Sequence, residues 1–458
     1  MALGLAYACG AVAQGAPAKH VFLVVIDTLR ADHLTPYGYS RNTTPFLDEI
    51  AQQGILFENA YSASSFTRES VSAMFTGRFP SSGGAGAGWL ARPADGRITL
   101  AEHFQRAGYA TALYADTPML EDPMFARGFD EAKCLPEYNR SLLGGKVLER
   151  AQRFLERNAG RNTFIYLHLM DPHSPYEPPA EFYERFGPPA PPGMPNLGDL
   201  RSYVPELQRE GFGPGEARFE HLVRAYDGEI AYQDELLRGF VDWLQQRGMW
   251  DESFFLLTAD HGEEFLEHGF VEHAWGLYAE VLRVPLILWS GARITPGREA
   301  ARVSNVGVFE TLLDVAEIPR NDVADYGGLL APVDGRWAAQ SPGQPIISEL
   351  RLAERSMLRS VIVEDHHYLA GQQWLDAEQC AAASFYTVQR RLRREFEAGV
   401  RQRPDPWGPV TREALFNLAA DPLEQKDLTP QGGAALERCR AVLADYVARC
   451  RARGGEAR

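Results

Sequence analysis

The chain has no stretch long and apolar enough to cross a membrane as a helix, so no transmembrane segment is expected. Cysteine is scarce. Cys9, Cys134, Cys380, Cys439 and Cys450 are five scattered residues without a CxxC spacing, which excludes a disulfide framework and a cysteine metal knot. Neither sign of charge forms a long run. With 46 basic against 61 acidic residues and a net charge of −15, the sequence lacks the basic stripe that a nucleic-acid partner needs. A protein of this balance that handles anions needs local positive charge, most simply a metal ion. There is no internal repeat and no low-complexity tract, which excludes a solenoid.

What is present is ordinary globular material: 458 residues, 45% hydrophobic and 23% charged, enough for one large domain and a smaller one. Residues 1–18 are apolar and rich in small residues, like the end of a secretory leader without its basic start, so an extracytoplasmic (periplasmic or secreted) location is expected. His20–Thr28, Thr163–Met170, Ser253–Thr258 and Val284–Trp289 are near-continuous apolar runs, the pattern of strands buried on both faces. Helical patterns lie between them at Thr44–Gly54, Leu100–Gly108, Val147–Asn158 and Ala217–Arg247, and follow at Val306–Ala316. The alternation predicts an α/β fold with a large, mostly parallel sheet flanked by helices over residues 19–330. Residues 174–214 form a Pro- and Gly-rich insertion of the kind that sits beside a substrate. Residues 331–458 are expected to be a smaller α+β subdomain, with antiparallel strands at Pro345–Leu350 and Met357–Leu369 and a closing helix at Ala434–Arg451.

Two features carry chemistry. The first is Ser64–Gly77, where serines and a threonine lead into a helix with a glycine stop. A hydroxyl at a helix N-terminus lies where backbone N–H groups and the helix dipole favour negative charge, so it is either an ordinary cap or a nucleophile for an anionic ester. The second is the set of strand ends: Asp27, the Asp171/His173 pair and Asp260-His261 all follow apolar strands and would face one edge of a parallel sheet. Carboxylate and imidazole donors suit Zn, Mn or a similar divalent ion better than an all-oxygen Ca site. A metal near Thr67 would lower its hydroxyl pKa and polarise an ester oxygen. His33, His103, His221, His366 and His367 have no ligand spacing and are expected to be packed or surface residues. His268 stands between a site and a structural role, and Glu263 and Glu264 are expected to cap a helix or orient His261.

Several ordered segments resemble the sulfatase family of the alkaline-phosphatase superfamily. They are Val24–Asp32, Thr44–Asp48, Phe57–Tyr61, Ser70–Gly77, Leu169–Tyr176, Thr258–Glu264, Leu277–Pro285 and Leu415–Leu428, and they cover nearly the whole chain. The resemblance implies a metal-dependent hydrolase of sulfuric or phosphoric esters, with Asp27, Asp260 and His261 as ligands. It also implies that His173 and His273 meet the anionic group of a small-molecule or glycan substrate. Thr28 stands where many members have a second acidic ligand, and His261 replaces an amide of the Ca-binding members, which points to Mn or Zn rather than Ca. Family spacing back from Gly77 places the nucleophile on Thr67, with Glu69 and Val71 where the motif has Pro and Arg. A register starting at Ser64 and reaching Arg68 is the alternative. Threonine cannot become formylglycine, because its β-carbon carries a methyl group. Thr67 is similar instead to the alkoxide of the superfamily's phosphoester-cleaving and phospho-transferring branches. A transferase acting on lipid or glycan acceptors, or a degenerate anionic-glycan binder, are therefore the alternatives to a hydrolase.

Overall fold

In the computed structural model the described residues are 17–82, 98–135, 143–188, 211–320, 324–353, 356–371 and 410–455. Nearly all of the leader-like segment and residues 189–210 of the Pro-rich insertion lie outside them. From its first residues the described chain belongs to the core: Ala18 is buried and its carbonyl accepts from the Tyr109 hydroxyl at 3.0 Å.

Three strands form the centre of the main sheet: β1 (His20–Ile26), β5 (Thr163–Leu169) and β6 (Ser253–Ala259), each buried at every residue. β3 (Ala110–Ala115) and β4 (Glu131–Cys134) extend the sheet beyond β5. On the other side β10 (Leu286–Trp289) runs antiparallel between β6 and β2 (Ile55–Tyr61), and β11 (Gly297–Ser304) closes the edge parallel to β2. The order is β11-β2-β10-β6-β1-β5-β3-β4, with the two-residue β9 (Arg283–Val284) also on β2. Strands buried on both faces need cover on both faces. Two groups of helices supply it: the long helix Ala217–Gln246 with α1 (Pro45–Gln53) and α4 (Gly144–Arg157) packed on it in one, and α2 (Thr67–Thr76), α3 (Leu100–Arg106) and the helix Val308–Val315, packed on one another, in the other.

The sequence pattern placed β1, β5 and β6 within a residue or two. Three features differ from it. β4 falls in a segment without pattern, because EAKC is an edge strand with no fully buried residue. β10 is antiparallel, a direction that a four-residue apolar run does not encode. Met357–Leu369 is not one strand but a hairpin of β15 (Ser356–Val363) and β16 (His366–Gly371), turned at Glu364, whose φ is 53°. With β14 (Ile346–Ala353) and β17 (Arg412–Asn417) these make a separate four-stranded antiparallel sheet. The closing helix Ala434–Gly455 packs on β15 and β16. β14 is tied to the chain before α2: Ser348 Oγ donates to Ser62 O at 2.6 Å and Glu349 N to Ala63 O at 2.9 Å.

Register positions the site. β1 pairs with β6 so that Ile26 lies opposite Ala259, and the next residues, Asp27 and Asp260, emerge side by side at the carboxyl edge. β1 pairs with β5 so that Ile26 lies opposite Leu169 and Val25 opposite His168.

Candidate active site

The hydroxyl-rich segment before α2 is pinned from several sides. Ser62 N donates to Leu282 O at 2.8 Å, Ala63 N to Asn305 Oδ1 at 3.1 Å, and Ser65 Oγ to Gly276 O at 2.7 Å. The N-cap of α2 is Phe66, and no side chain caps the helix. The expected serine or threonine cap is therefore absent, and the Thr67 hydroxyl, on the first helical residue, is not used in capping. Its Oγ1 lies 3.5 Å from Asp27 Oδ2 and 3.3 Å from His261 Nε2. Ser64 Oγ is buried without a hydrogen-bond partner among the described residues. Arg68 turns away, its guanidinium on Met119 O at 3.0 Å and on Asp122 at 2.9 Å. Glu69 is buried with both carboxylate oxygens unpartnered, and burial pushes its pKa up to about 7.

Around Thr67 the donors are arranged to face one point. His261 Nδ1 lies 2.9 Å from Gly262 O, which can only accept, so that nitrogen carries the proton. In the neutral ring the Nε2 lone pair then faces Asp27 Oδ1 at 3.8 Å and Asp260 Oδ2 at 3.4 Å. These two carboxylate oxygens are buried and have no hydrogen-bond partner among the described residues. Two buried carboxylate oxygens and an imidazole lone pair directed at one another repel unless a proton or a metal cation lies between them. This donor set fits a divalent metal. The far oxygens are fixed: Asp260 Oδ1 accepts from His261 N at 2.9 Å, and Asp27 Oδ2 from His168 Nε2 at 3.0 Å. Burial alone would raise the Asp27 pKa, but the His168 hydrogen bond leads the opposing effects that together hold the carboxyl below its ordinary value. Asp260 is pushed up, by burial and then by the charge of Asp27. Thr28, just after Asp27 at the end of β1, holds a φ of 56°, a strained value for a β-branched residue. That conformation aims its N–H at Asp260 Oδ1, 3.4 Å away, while its carbonyl accepts from the Tyr226 hydroxyl at 2.7 Å.

Two more histidines stand at the rim. The ring of His273 is 4.4 Å from that of His261 and 5.0 Å from that of His173, centre to centre. His273 Nδ1 is 2.9 Å from Glu263 Oε1, and the Tyr176 hydroxyl donates to Glu263 Oε2 at 2.8 Å. Glu263 therefore orients His273, not His261 as expected. Glu264 caps no helix: it lies in a two-residue strand and accepts from the N–H groups of His268 and Phe270. His268 is outside the site, stacked on Tyr278 at 3.6 Å and bonded to Glu280 Oε1 at 2.6 Å and Glu424 O at 3.2 Å. Asp171, paired with His173 in the sequence reading, accepts from Gln233 Nε2 at 2.7 Å instead. His33 and His367 bond Asp227 and Glu424, and His221 bonds Tyr183. His168 is the residue that the sequence reading missed, a single polar ring in an apolar strand whose partner is 141 positions away.

A polar site at the carboxyl edge of a large, mostly parallel sheet lies where α/β folds bind their ligands, and its carboxylates, imidazoles and helix-terminal hydroxyl are groups that ester hydrolysis can use. The chain belongs to the sulfatase family, whose model matches residues 19–318. It is 23% identical over 487 aligned residues to the delta 4,5-hexuronate-2-O-sulfatase of Bacteroides thetaiotaomicron, covering 98% of this chain and 92% of that protein. It is 24% identical to the phosphatidylethanolamine transferase Mcr-1 of Escherichia coli, covering 67% of this chain and 55% of that one. The crystal structure of the phosphonate monoester hydrolase of Agrobacterium radiobacter shares the fold, with a TM-score of 0.68 over 96% of each chain at 17% identity. Among the described residues no helix is long and apolar enough to cross a membrane.

Proposed function

We propose that this sulfatase-family enzyme hydrolyses sulfuric or phosphoric esters with the Thr67 hydroxyl as nucleophile. The observation that carries this reading is the convergence of Thr67 Oγ1, His261 Nε2 and the two unpartnered oxygens of Asp27 and Asp260. Asp27, Thr67, Asp260 and His261 would hold a divalent ion, Mn or Zn before Ca because an imidazole is among the donors. When bound, such an ion supplies Lewis acidity that lowers the Thr67 pKa and draws charge from an ester oxygen. Thr67 gives up its hydroxyl proton to solvent, and its Oγ forms a bond to sulfur or phosphorus as the bond to the ester oxygen breaks. His173 and His273 neutralise the equatorial oxygens or give the leaving oxygen its proton. Water next attacks the threonyl ester, releasing the inorganic anion and returning a proton to Thr67. Sulfated or phosphorylated sugars and small esters are the substrate class, in keeping with the hexuronate sulfatase and phosphonate hydrolase neighbours. The composition of residues 1–18 supports export.

The likeness to a phosphatidylethanolamine transferase favours a second reading, in which the group carried by Thr67 passes to a lipid or glycan hydroxyl instead of water. Both readings are tested by loading the enzyme with Mn, Zn or Ca and comparing an aryl sulfate, a phosphate monoester and a phosphate diester. Phosphoester cleavage with Mn or Zn that disappears in Thr67→Ala, with the fold intact by circular dichroism, is expected. Near-normal turnover by Thr67→Ala refutes the mechanism. Turnover only with an added alcohol acceptor favours the transferase.

A further inference from the structure

We propose that His168 is a positioning residue for Asp27, the middle link of a buried chain Tyr166–His168–Asp27; this rests on the reading of Asp27 as a metal ligand. All three side chains are essentially inaccessible, and the two links are short: Tyr166 Oη to His168 Nδ1 at 2.8 Å and His168 Nε2 to Asp27 Oδ2 at 3.0 Å. The direction of the second link follows from the chemistry of its ends. A carboxylate only accepts, so Nε2 carries a proton and donates to Asp27 Oδ2, while Nδ1 meets the tyrosine hydroxyl, which can donate or accept. Tyr166 thereby holds the orientation of the ring, and His168 fixes one oxygen of Asp27.

Fixing that oxygen has a consequence at the other. With Oδ2 held by His168, the carboxylate plane cannot turn, and Oδ1 stays on the side of His261 Nε2 without a hydrogen-bond partner. A free aspartate would rotate about χ2, a soft torsion, and spread its two oxygens over several directions. The backbone supports the same geometry. Val25 is the register partner of His168, so residues on adjacent parallel strands hold the imidazole just behind Asp27. The strand itself is locked on the far side, where Asp116 N donates to His168 O at 3.3 Å. Asp27, His168 and Asp260 also lie close enough together for one atom from each to reach a common ion. With Nε2 directed at Asp27 Oδ2, His168 serves the carboxylate and is not itself a ligand.

The test compares His168→Leu, His168→Gln, Tyr166→Phe and Asp27→Asn by Mn and Zn affinity, measured by chelator competition, and by the unfolding temperature of the metal-free proteins. Gln can place an amide N–H near the position of Nε2. His168→Leu should weaken metal binding by about 10–100-fold. His168→Gln should recover most of it, Tyr166→Phe should lie between, and Asp27→Asn should abolish binding. The proposal is overturned if His168→Leu binds metal as tightly as the native protein while Asp27→Asn does not. It is also overturned if Leu and Gln lose affinity equally, or if the loss only tracks lower stability of the metal-free protein. Native-like binding by Asp27→Asn instead defeats the metal reading itself.

Discussion

His268 lends itself to a quantitative stability test, because its surroundings in this structure are all of one sign. Its Nδ1 faces Glu280 at 2.6 Å and its Nε2 the Glu424 carbonyl at 3.2 Å, so both nitrogens donate and the ring is an imidazolium. Glu264 and Glu267 stand nearby. Burial alone would lower its pKa, but the hydrogen bond and charge of Glu280 outweigh that and raise it to about 9. The side chain is only 12% exposed, so solvent screening is modest. A raised histidine stabilises the fold fully below its unfolded pKa of about 6.5, and that contribution is lost as pH rises through the folded value. The difference is worth about 3 kcal/mol, a sizeable part of a total of about 5–15 kcal/mol. Glu264 and Glu280 are also raised, mainly by burial, so their linkage has the same sign but begins at lower pH. Scanning calorimetry from pH 6 to 10 should show the native protein losing about 2–3 °C more than His268→Gln between pH 6.5 and 9. Parallel curves for the two proteins would refute the argument.

Three further outcomes are expected from the site. Glu263→Gln keeps an oxygen near His273 Nδ1 but loses the charge, so kcat/KM should fall by about 10–100-fold with folding unchanged; an unaltered value would contradict the orienting role. In Gly262→Ala the new Cβ would lie 2.1 Å from the Glu280 backbone carbonyl, so the chain carrying His261 must move, and activity should fall by about 100-fold in steady-state assays. Thr28→Gly relieves about 1–2 kcal/mol of left-handed strain, offset by about 0.5–1 kcal/mol of added chain freedom, so the melting temperature should hold or rise; a marked drop would show that φ is not the source of strain.

Much of this was legible in the sequence because the strands that bear the site are the most buried. HVFLVVI, TFIYLHL and SFFLLTA announce themselves by unbroken apolar character, and the polar residue at each end is then placed by topology. β11, whose exposed half reads GREAA, carries no such signal. Nor does composition reveal side-chain direction. Asp171 and His173 are two residues apart, yet one goes to Gln233 and the other to the rim of the site. His168 needed the register between two strands before its partner could be named. His268 needed the C-terminal segment, whose Glu424 both caps Ala279 N and accepts from the imidazole.

Glu263 and Glu264 are neighbours with unrelated duties, one holding His273 and the other bracing the loop at His268 and Phe270. Successive residues of an extended chain point to opposite sides. Deleting one residue between His261 and Glu263 would put Glu264 where Glu263 stands and Phe265 where Glu264 stands, leaving the loop at His268 and Phe270 without its carboxylate. Both duties therefore depend on one chain length between His261 and Glu264.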